Sequence, residues 1–233
     1  MPDMPKDLRP YLVAAIALGV WGATPAVTQL AVAGIDAVSV GMLRTIIAAA
    51  IVLPLAALLR LPRPADRGGW AALAVSSLAG FVGYTLLYTI GQKLTSTAHA
   101  ALILASAPIL TGFIGFAVRR AWPRWLWWAG ALVALAGEAI LIGFRAAGAA
   151  GAASLEGDGI IFLSAVFVSA GYIAGGRLAS KIGTQAATAW GIGVAGVALT
   201  PALILRTSAV PLSITAANAP SWAAVVFLAV FTS

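Results

Sequence analysis

The chain has no cysteine and very little charge. With no cysteine among 233 residues, it can form no disulfide and no cysteine-ligated metal site. Only 9% of its residues are charged, whereas about a quarter are charged in soluble domains. Hydrophobic residues make up 61%, and the mean hydropathy is +1.00. A single soluble core cannot hide this much apolar surface, so the composition indicates an all-α polytopic membrane protein.

The shortage of histidine and acidic residues argues against catalysis. A membrane enzyme acting on lipid-linked substrates would need clustered acids, metal ligands or a nucleophile. One histidine and 7 acidic residues, mostly in loops, make such a site hard to build. The chain also lacks a GxxxxGK[ST] loop, so no ATP-driven motor is visible. We predict no cofactor and no metal.

The net charge of +7 does not indicate nucleic-acid binding. The basic residues are scattered between apolar segments and form no stripe. The expected partners are the lipid bilayer and a small-molecule substrate, and a homodimer remains open.

Apolar runs separated by proline, glycine and charge predict seven membrane spans and the start of an eighth. A span needs roughly 20 apolar residues. The predicted spans are 11–32, 38–59, 70–91, 97–118, 124–144, 158–180 and 185–206, then 221 onward. The eighth run reaches only 13 residues before the chain ends, so we expect a fragment of a longer protein.

The distribution of Lys and Arg predicts a cytoplasmic N-terminus. With the N-terminus inside, the inner segments hold ten of the 14 basic residues and the outer segments hold three, while Arg44 lies within the second span. Basic residues concentrate on the cytoplasmic side of membrane proteins. We therefore expect a multi-pass protein of the inner or plasma membrane.

Two halves can be distinguished around a Gly- and Ala-rich segment. Residues 1–146 hold five predicted spans, 147–157 read as a flexible linker, and 158–233 begin a second set. When the first half of the sequence is laid on the second half without gaps, at an offset of 147 residues, Pro54 falls on Pro201 and Pro25 falls on Tyr172. Since five is odd, a second copy must be inverted in the membrane, as in many secondary transporters.

Four segments carry a family resemblance. They are "GVWGATPA" in the first span, Arg44 in the second, "TSTAHAALILASAPILTG" in the fourth and "GDGIIFLSAVFVSAGYIAGGRLAS" in the sixth. Their order over nearly the whole chain resembles the EamA-like branch of the drug/metabolite transporter superfamily. The resemblance implies ten helices in two inverted five-helix repeats, and the movement of small metabolites such as amino acids, usually outward. A glutamate frequent after the fourth helix of that family is replaced here by "VRRAWPRW".

The fourth span carries a proline and the histidine. Pro108 should kink this helix, because proline removes a backbone donor and clashes one turn back. Ser106 stands beside the kink. The kink can line a substrate path and hinge, or it can be passive packing. His99, roughly 14 Å nearer the outer end, can bind a substrate carboxylate or a proton, or it can simply face interfacial water.

Polar and aromatic residues on the first, third and sixth spans are further candidates for substrate binding. Tyr84, Tyr88 and Gln92 share one helical face, which suits an amphipathic solute or an interfacial aromatic belt. Trp21, Thr24 and the kink-forming Pro25 lie near the middle of the first span, and Tyr172 falls at the inverted place. The alternative for these residues is simple packing.

Arg44 and Glu138 are charges at matching predicted depth in the membrane. An unpaired charge in a bilayer costs at least a few kcal/mol, so a partner is expected. We predict a structural Arg44–Glu138 pair. Glu138 with Arg145, or Glu138 as a proton carrier, are the alternatives. Together the sequence predicts a secondary transporter, with a membrane enzyme or a non-transporting scaffold as rivals.

Overall fold

Helices account for all the regular structure that is described. The computed structural model describes residues 9–146, 154–209, 211–212 and 218–232, and no strand occurs among them. A π-helical segment, Ser76–Gly83, joins the fourth and fifth helices. The α-helices are α1 Arg9–Gly22, α2 Thr24–Gly34, α3 Ala37–Leu58, α4 Arg67–Val75, α5 Tyr84–Leu94, α6 Thr97–Ala105, α7 Ala107–Arg119, α8 Trp125–Ala146, α9 Leu155–Ile182, α10 Thr184–Ala209 and α11 Ala219–Phe231.

The helices coincide with the predicted spans. Six stretches of the described residues are long and apolar enough to cross a membrane. They are Tyr11–Gly34, Ala37–Leu58, Arg67–Leu94, Thr97–Arg119, Leu155–Ile182 and Thr184–Ala209. Helix α8 occupies the place of the predicted fifth span, and α11 that of the eighth, but their qualifying apolar stretches are shorter, Trp125–Gly137 and Ala219–Phe231. The polytopic membrane class is thus confirmed, and a total of seven full spans stays a prediction.

Most of the predicted linker at 147–157 lies outside the described residues. Helix α9 begins at Leu155, within that segment, because Ser154 accepts a hydrogen bond from the Gly157 N–H at 3.0 Å and caps the helix. The division into repeats stays a prediction.

Side-chain caps define where several helices begin. Asp36 accepts from the Ser39 N–H at the start of α3, and Asp66 accepts from the Gly69 N–H at the start of α4. Ser96 does the same for the His99 N–H at the start of α6. Since the first four N–H groups of a helix have no partner inside it, such caps stabilise the ends of spans where they leave the apolar layer.

The first and fourth spans are each interrupted two residues before a proline. Helical structure breaks at Ala23, ahead of Pro25, and at Ser106, ahead of Pro108. By contrast, α3 and α10 run without a break through Pro54 and Pro201. The structure thus places a discontinuity at both predicted kinks, and whether they act as hinges in transport stays a prediction.

Four spans form the centre of the bundle. Helix α10 packs against both α3 and α9, and all three helices pack against the span formed by α4, the π-helical segment and α5. Helix α11 packs on α2 and α3, whereas α8 packs chiefly on α6 at the periphery. We call the end where α1 begins and where α9 turns into α10 the N-terminal face. The other end, with the turns at 34–37 and 94–97, is the opposite face.

Polar side chains lie inside this bundle and large apolar side chains lie outside. The buried polar residues of the described chain are mostly threonines and serines, among them Thr28, Ser77 and Thr89. Many donate to carbonyls three or four residues earlier, such as Thr89 Oγ1 to Thr85 O at 3.0 Å. Exposed apolar residues such as Leu58 and Leu205 face outward. This polarity fits a lipid surround, because hydrocarbon offers polar groups no partner.

A glycine pair brings α9 against the π-helical segment. A Cβ added at Gly171 would lie 2.4 Å from the Cα of Gly80 and 2.7 Å from its nitrogen. Such closeness is available only where neither residue has a side chain, and it is typical of helix contacts in membranes. Gly171 belongs to the "GYIAG" stretch, for which the sequence predicts close packing.

We expect Gly171→Ala to destabilise the folded protein by about 1–3 kcal/mol, the usual cost of overpacking. The added methyl group would meet backbone, which cannot rotate away. Gly159→Ala in the same helix is the matched control, because nothing lies within 4 Å of its added Cβ. Thermal unfolding of both variants in detergent measures the difference. Equal melting temperatures would show that the contact is not tight.

Candidate functional site

A large cavity lies within the bundle. Its volume is about 1190 Å³, above the usual range of about 300–1,000 Å³ for small-molecule sites. Its walls come from α1, α3, the π-helical segment, α5, α9, α10 and the residues at the end of α11. It extends from Arg44 and Thr232 in the interior to Thr184 and Thr188 at the N-terminal face. The cavity is the candidate functional site.

The local structure around the cavity explains how the walls are shaped. The π-helical segment supplies Ser76, Gly80 and Phe81, and π-helical turns frequently occur at functional sites. Gly171 and Gly175 of α9 also line the cavity. Because the three glycines carry no side chain, they leave room between helices that otherwise pack closely.

Arg44 is the largest fully buried side chain in the described part of the chain, and it lines this cavity. One of its terminal nitrogens donates to the Thr232 carbonyl oxygen and to the Thr232 hydroxyl, both at 3.1 Å. The side chain of Glu138 lies outside the described residues, as does that of Arg145. The predicted pairings of Arg44 with Glu138 and of Glu138 with Arg145 therefore stay predictions.

Three of the predicted substrate-binding residues line the cavity. Trp21 contributes from α1, Tyr84 from α5 and Tyr172 from α9. Trp21 and Tyr172 are 41% and 49% exposed, so both rings are open to a solute. Tyr84 is buried and stacks on Tyr88 with a centroid distance of 5.5 Å. The structure brings these three side chains together with Arg44 around one space.

The remaining predicted residues lie beside the cavity or away from it. Tyr88 is fully buried behind Tyr84, and Thr24 is buried at the start of α2. The hydroxyl oxygens of both have no hydrogen-bond partner among the described residues. Ser106 donates to the Ile103 carbonyl at 2.6 Å, beside the break in the fourth span. Their roles in substrate binding stay predictions.

Gln92 and His99 lie at the opposite face, where polar contacts join several spans. Gln92 Nε2 donates to Gln29 Oε1 at 3.0 Å. His99 Nδ1 is 3.0 Å from Asp158 Oδ2, and Thr95 donates to the other oxygen of the same carboxylate. These contacts link the first, third, fourth and sixth spans.

Further contacts extend this polar layer to the second, seventh and eighth spans. Lys93 Nζ donates to the Val32 carbonyl at 2.8 Å, and Ser221 Oγ donates to the Leu30 carbonyl at 2.7 Å. Arg206 donates to Asp36 Oδ2 from two nitrogens, at 2.8 and 2.9 Å. The bundle is thus tied together at the opposite face, away from the end to which the cavity extends.

Sequence reasoning missed Asp158, Asp36 and Arg206 as parts of this layer. Each is a charged residue at the end of an apolar span, and such residues are ordinarily read as solvated flanks. Asp158 lies one turn into α9, and this position at a helix start is the only local signal that the sequence offered. Its contact with His99, 59 residues away, exists only in the folded chain.

Two carboxylates outside the spans have a lowered pKa. Burial alone would raise the pKa of Asp36, but the Ser39 N–H and Arg206 hold that pKa below its usual value. At the N-terminal face, hydrogen bonds from Lys181 and the Gly69 N–H lower the pKa of Asp66. Both aspartates therefore stay ionised at neutral pH and hold their basic partners.

The described residues contain no cluster of three or more His, Asp or Glu side chains that could hold a metal ion. The cavity instead combines aromatic rings, hydroxyls and one guanidinium. Together with the polytopic fold, this arrangement defines a membrane protein with an internal solute-sized cavity.

Comparison with known proteins assigns the family. A sequence model of the EamA-like transporter family matches residues 8–143, more than half of the chain. The chain therefore belongs to the EamA-like transporter family, and it is a membrane transporter of the drug/metabolite type, as its motifs predict. Neither the curated proteins nor the solved structures provide a significant match.

We expect Asp36→Asn to lower the melting temperature more at pH 7 than at pH 3. Asparagine still caps a helix, so the change chiefly removes the ion pair with Arg206, worth about 1 kcal/mol or less when partly exposed. Because the pKa of Asp36 is lower in the folded state, its contribution to the free energy of unfolding is fully present above the pKa of the unfolded chain, near 4. The contribution is lost as pH falls through the folded pKa.

Melting curves of the purified protein across pH 3 to pH 7 measure this loss. Asp66→Asn serves as the control, since its bond to Lys181 is more exposed and should matter less. A wild-type and Asp36→Asn difference that persisted unchanged at pH 3 would contradict the linkage.

Proposed function

We propose that this protein is a secondary transporter that exports small amphipathic metabolites, such as amino acids, across the inner membrane by alternating access. The substrate binds in the central cavity, and the N-terminal face is cytoplasmic. The observation that carries this proposal is the cavity itself, which extends toward one face of the bundle while polar contacts join the spans at the other.

This asymmetry corresponds to one half of a transport cycle. A transporter that alternates must be accessible from one side while contacts close the other. The contacts of Gln92 with Gln29 and of His99 with Asp158 are polar and lie at the ends of spans, where water can take the place of each partner when the spans separate. We assign the arrangement to the inward-facing state.

The packing pattern supports an inverted repeat. In such a repeat the first span corresponds to the sixth, the second to the seventh and the third to the eighth. A contact between the first and eighth spans should then be matched by a contact between the sixth and third spans. Helix α2 packs on α11, and the third span packs on α9, as that exchange requires. Helices α3 and α10, which correspond to each other, form the closest central pair. Sites in such folds lie between the repeats.

The composition of the cavity suits transport better than catalysis. Its described lining includes neither histidine nor an acidic residue, so it offers no general acid or base of the usual kind. Aromatic rings and hydroxyls can hold a solute in many orientations. The enzyme alternative would predict product formation without solute movement.

Transport is tested first in proteoliposomes. We expect the purified chain to catalyse exchange of at least one solute from a panel of radiolabelled amino acids and aromatic acids. Trp21→Ala and Tyr172→Ala should each raise KM about tenfold, because removal of a buried aromatic contact costs roughly 1.5 kcal/mol. Trp122→Ala is the control, since Trp122 lies outside the cavity lining and is 85% exposed.

Absence of exchange for every solute would contradict the transport proposal, whereas conversion of a solute without exchange would favour the enzyme. Equal effects of Trp21→Ala and Trp122→Ala would show that the cavity is not the binding site.

Orientation is tested with single cysteines, since the native chain has none. Leu155 at the opposite face and Trp122 in the turn between α7 and α8 are both highly exposed. On intact cells, we expect a membrane-impermeant maleimide to label Leu155→Cys but to label Trp122→Cys only after permeabilisation. The reverse pattern would place the N-terminus outside and make the cavity outward-facing.

A further inference from the structure

We infer that the groove between α7 and α8 binds an anionic phospholipid, with an acyl chain in the groove and the phosphate on the arginines of the turn that joins the two helices. This turn holds Arg119, Arg120 and Arg124. The surface lies outside the central cavity, so the inference depends neither on transport nor on the orientation of the chain.

The groove is small and apolar. Its volume is about 260 Å³, and Leu126 on its edge is 62% exposed, so the groove faces the lipid. This volume is below the range of about 300–1,000 Å³ for small-molecule sites, so it suits a segment of an acyl chain better than a whole solute. The lining consists of Pro108, Ile109, Leu126, Trp127, Gly130 and Ala131.

The packing of α8 explains why this groove is open. Helix α8 packs chiefly on α6, at the periphery of the bundle. The Trp127 ring reaches α7, where it packs edge-on against Phe116 with a centroid distance of 5.2 Å. A Cβ added at Gly112 would lie 2.9 Å from that ring, so the ring is seated on α7. Gly130 and Ala131 follow one turn later and are too small to fill the space that the ring holds open.

The turn beside the groove carries positive charge alone. Its three arginines are exposed, and their side chains have no ion pair among the described residues. The sequence over residues 95–137 contains neither aspartate nor glutamate. Guanidinium groups match phosphate oxygens in a planar fork, and each basic residue close to a membrane surface attracts anionic lipid. The turn therefore favours a phospholipid that carries net negative charge.

The other basic turn at the N-terminal face has different contacts. There Arg63 lies over the Trp190 ring at 5.0 Å, and Asp66 pairs with Lys181 at 2.6 Å. An aromatic ring and a carboxylate thus lie among the basic residues of that turn. The turn at 119–124 shows neither kind of contact in the part of the chain that the structure describes, so we place the phosphate there.

The depth of the groove matches a lipid whose headgroup lies at the turn. Trp127 lies three residues beyond Arg124, which is about 5 Å along the helix. Ile109 lies ten residues before Arg119, which is about 15 Å. Half of the hydrocarbon core is also roughly 15 Å thick, so the groove stays within one leaflet, directly below its headgroups.

Native mass spectrometry of the full chain in detergent micelles tests the site. The probes are phosphatidylglycerol and phosphatidylcholine with the same acyl chains, and glycerol 3-phosphate as a headgroup without chains. We expect one phosphatidylglycerol to bind about tenfold to a hundredfold more tightly than phosphatidylcholine, because three basic residues attract its charge. Equal binding of the two lipids, or of glycerol 3-phosphate and phosphatidylglycerol, would overturn the inference. A dimer without bound lipid would also overturn it and would assign the groove to a second copy.

Charge variants locate the phosphate. Replacing the three arginines of the turn at 119–124 together by glutamine should weaken phosphatidylglycerol about tenfold or more. The matched control replaces three other exposed arginines of the same face, so both variants have the same net charge; it combines Arg60→Gln, Arg67→Gln and Arg177→Gln. Equal weakening in both variants would show that the lipid responds to the total charge of the face, and it would overturn the site.

A variant of the groove locates the acyl chain. Gly130 lines the groove, and no described atom lies within 4 Å of a Cβ added there. Gly130→Leu should therefore fold, fill the groove and weaken phosphatidylglycerol about fourfold for each methylene that it displaces. Gly137→Leu is the matched control, because its added Cβ is equally free and Gly137 lies outside the lining.

Equal affinities of Gly130→Leu and Gly137→Leu for phosphatidylglycerol would overturn the groove as the place of the acyl chain. If the triple arginine variant does not fold, the ranking of the lipids on the wild type and the two glycine variants still decide.

Discussion

The requirement that polar groups find partners within the chain governs this structure. A bilayer core offers no hydrogen bonds, so each span forms a helix, and caps such as Asp36, Asp66 and Ser96 serve its ends. Hydroxyls inside the spans bond to carbonyls of the preceding turn. Charged side chains consequently gather at the two faces, and Arg44, which lies within a span, must be placed where the protein itself provides a polar environment.

Glycine at two positions serves both helix packing and the wall of the cavity. Gly171 lets α9 approach the π-helical segment at Gly80, and both positions also line the cavity. The same small residues therefore bring two helices together and keep the wall between them free of side chains. Aromatic residues of other spans, Trp21 and Tyr172, then face a space large enough for a solute. Packing and binding thus depend on the same part of the fold.

The two faces of the bundle differ in how the spans are joined. At the opposite face, His99 with Asp158 and Arg206 with Asp36 connect spans that are distant in sequence. At the N-terminal face, the bond of Lys181 with Asp66 lies at the end to which the cavity extends. The Lys181–Asp66 pair is the most exposed of these three, and an exposed ion pair is weak, so it does not fix the N-terminal face permanently. Such pairs suit a protein whose spans must separate at each face in turn.

The sequence by itself determined the membrane class, the family and the places of the helices. Hydropathy and length decide the membrane class and the places of the helices because each span must satisfy its own backbone, whereas the order of the motifs indicates the family. Only the tertiary structure decided which face of each helix looks inward. Tyr84 and Tyr88 share a helical face, yet Tyr84 lines the cavity while Tyr88 is buried behind it. Likewise Asp158 reaches His99 across 59 residues. Spans apolar all round give no periodic signal for orientation, so these contacts follow from helix packing alone.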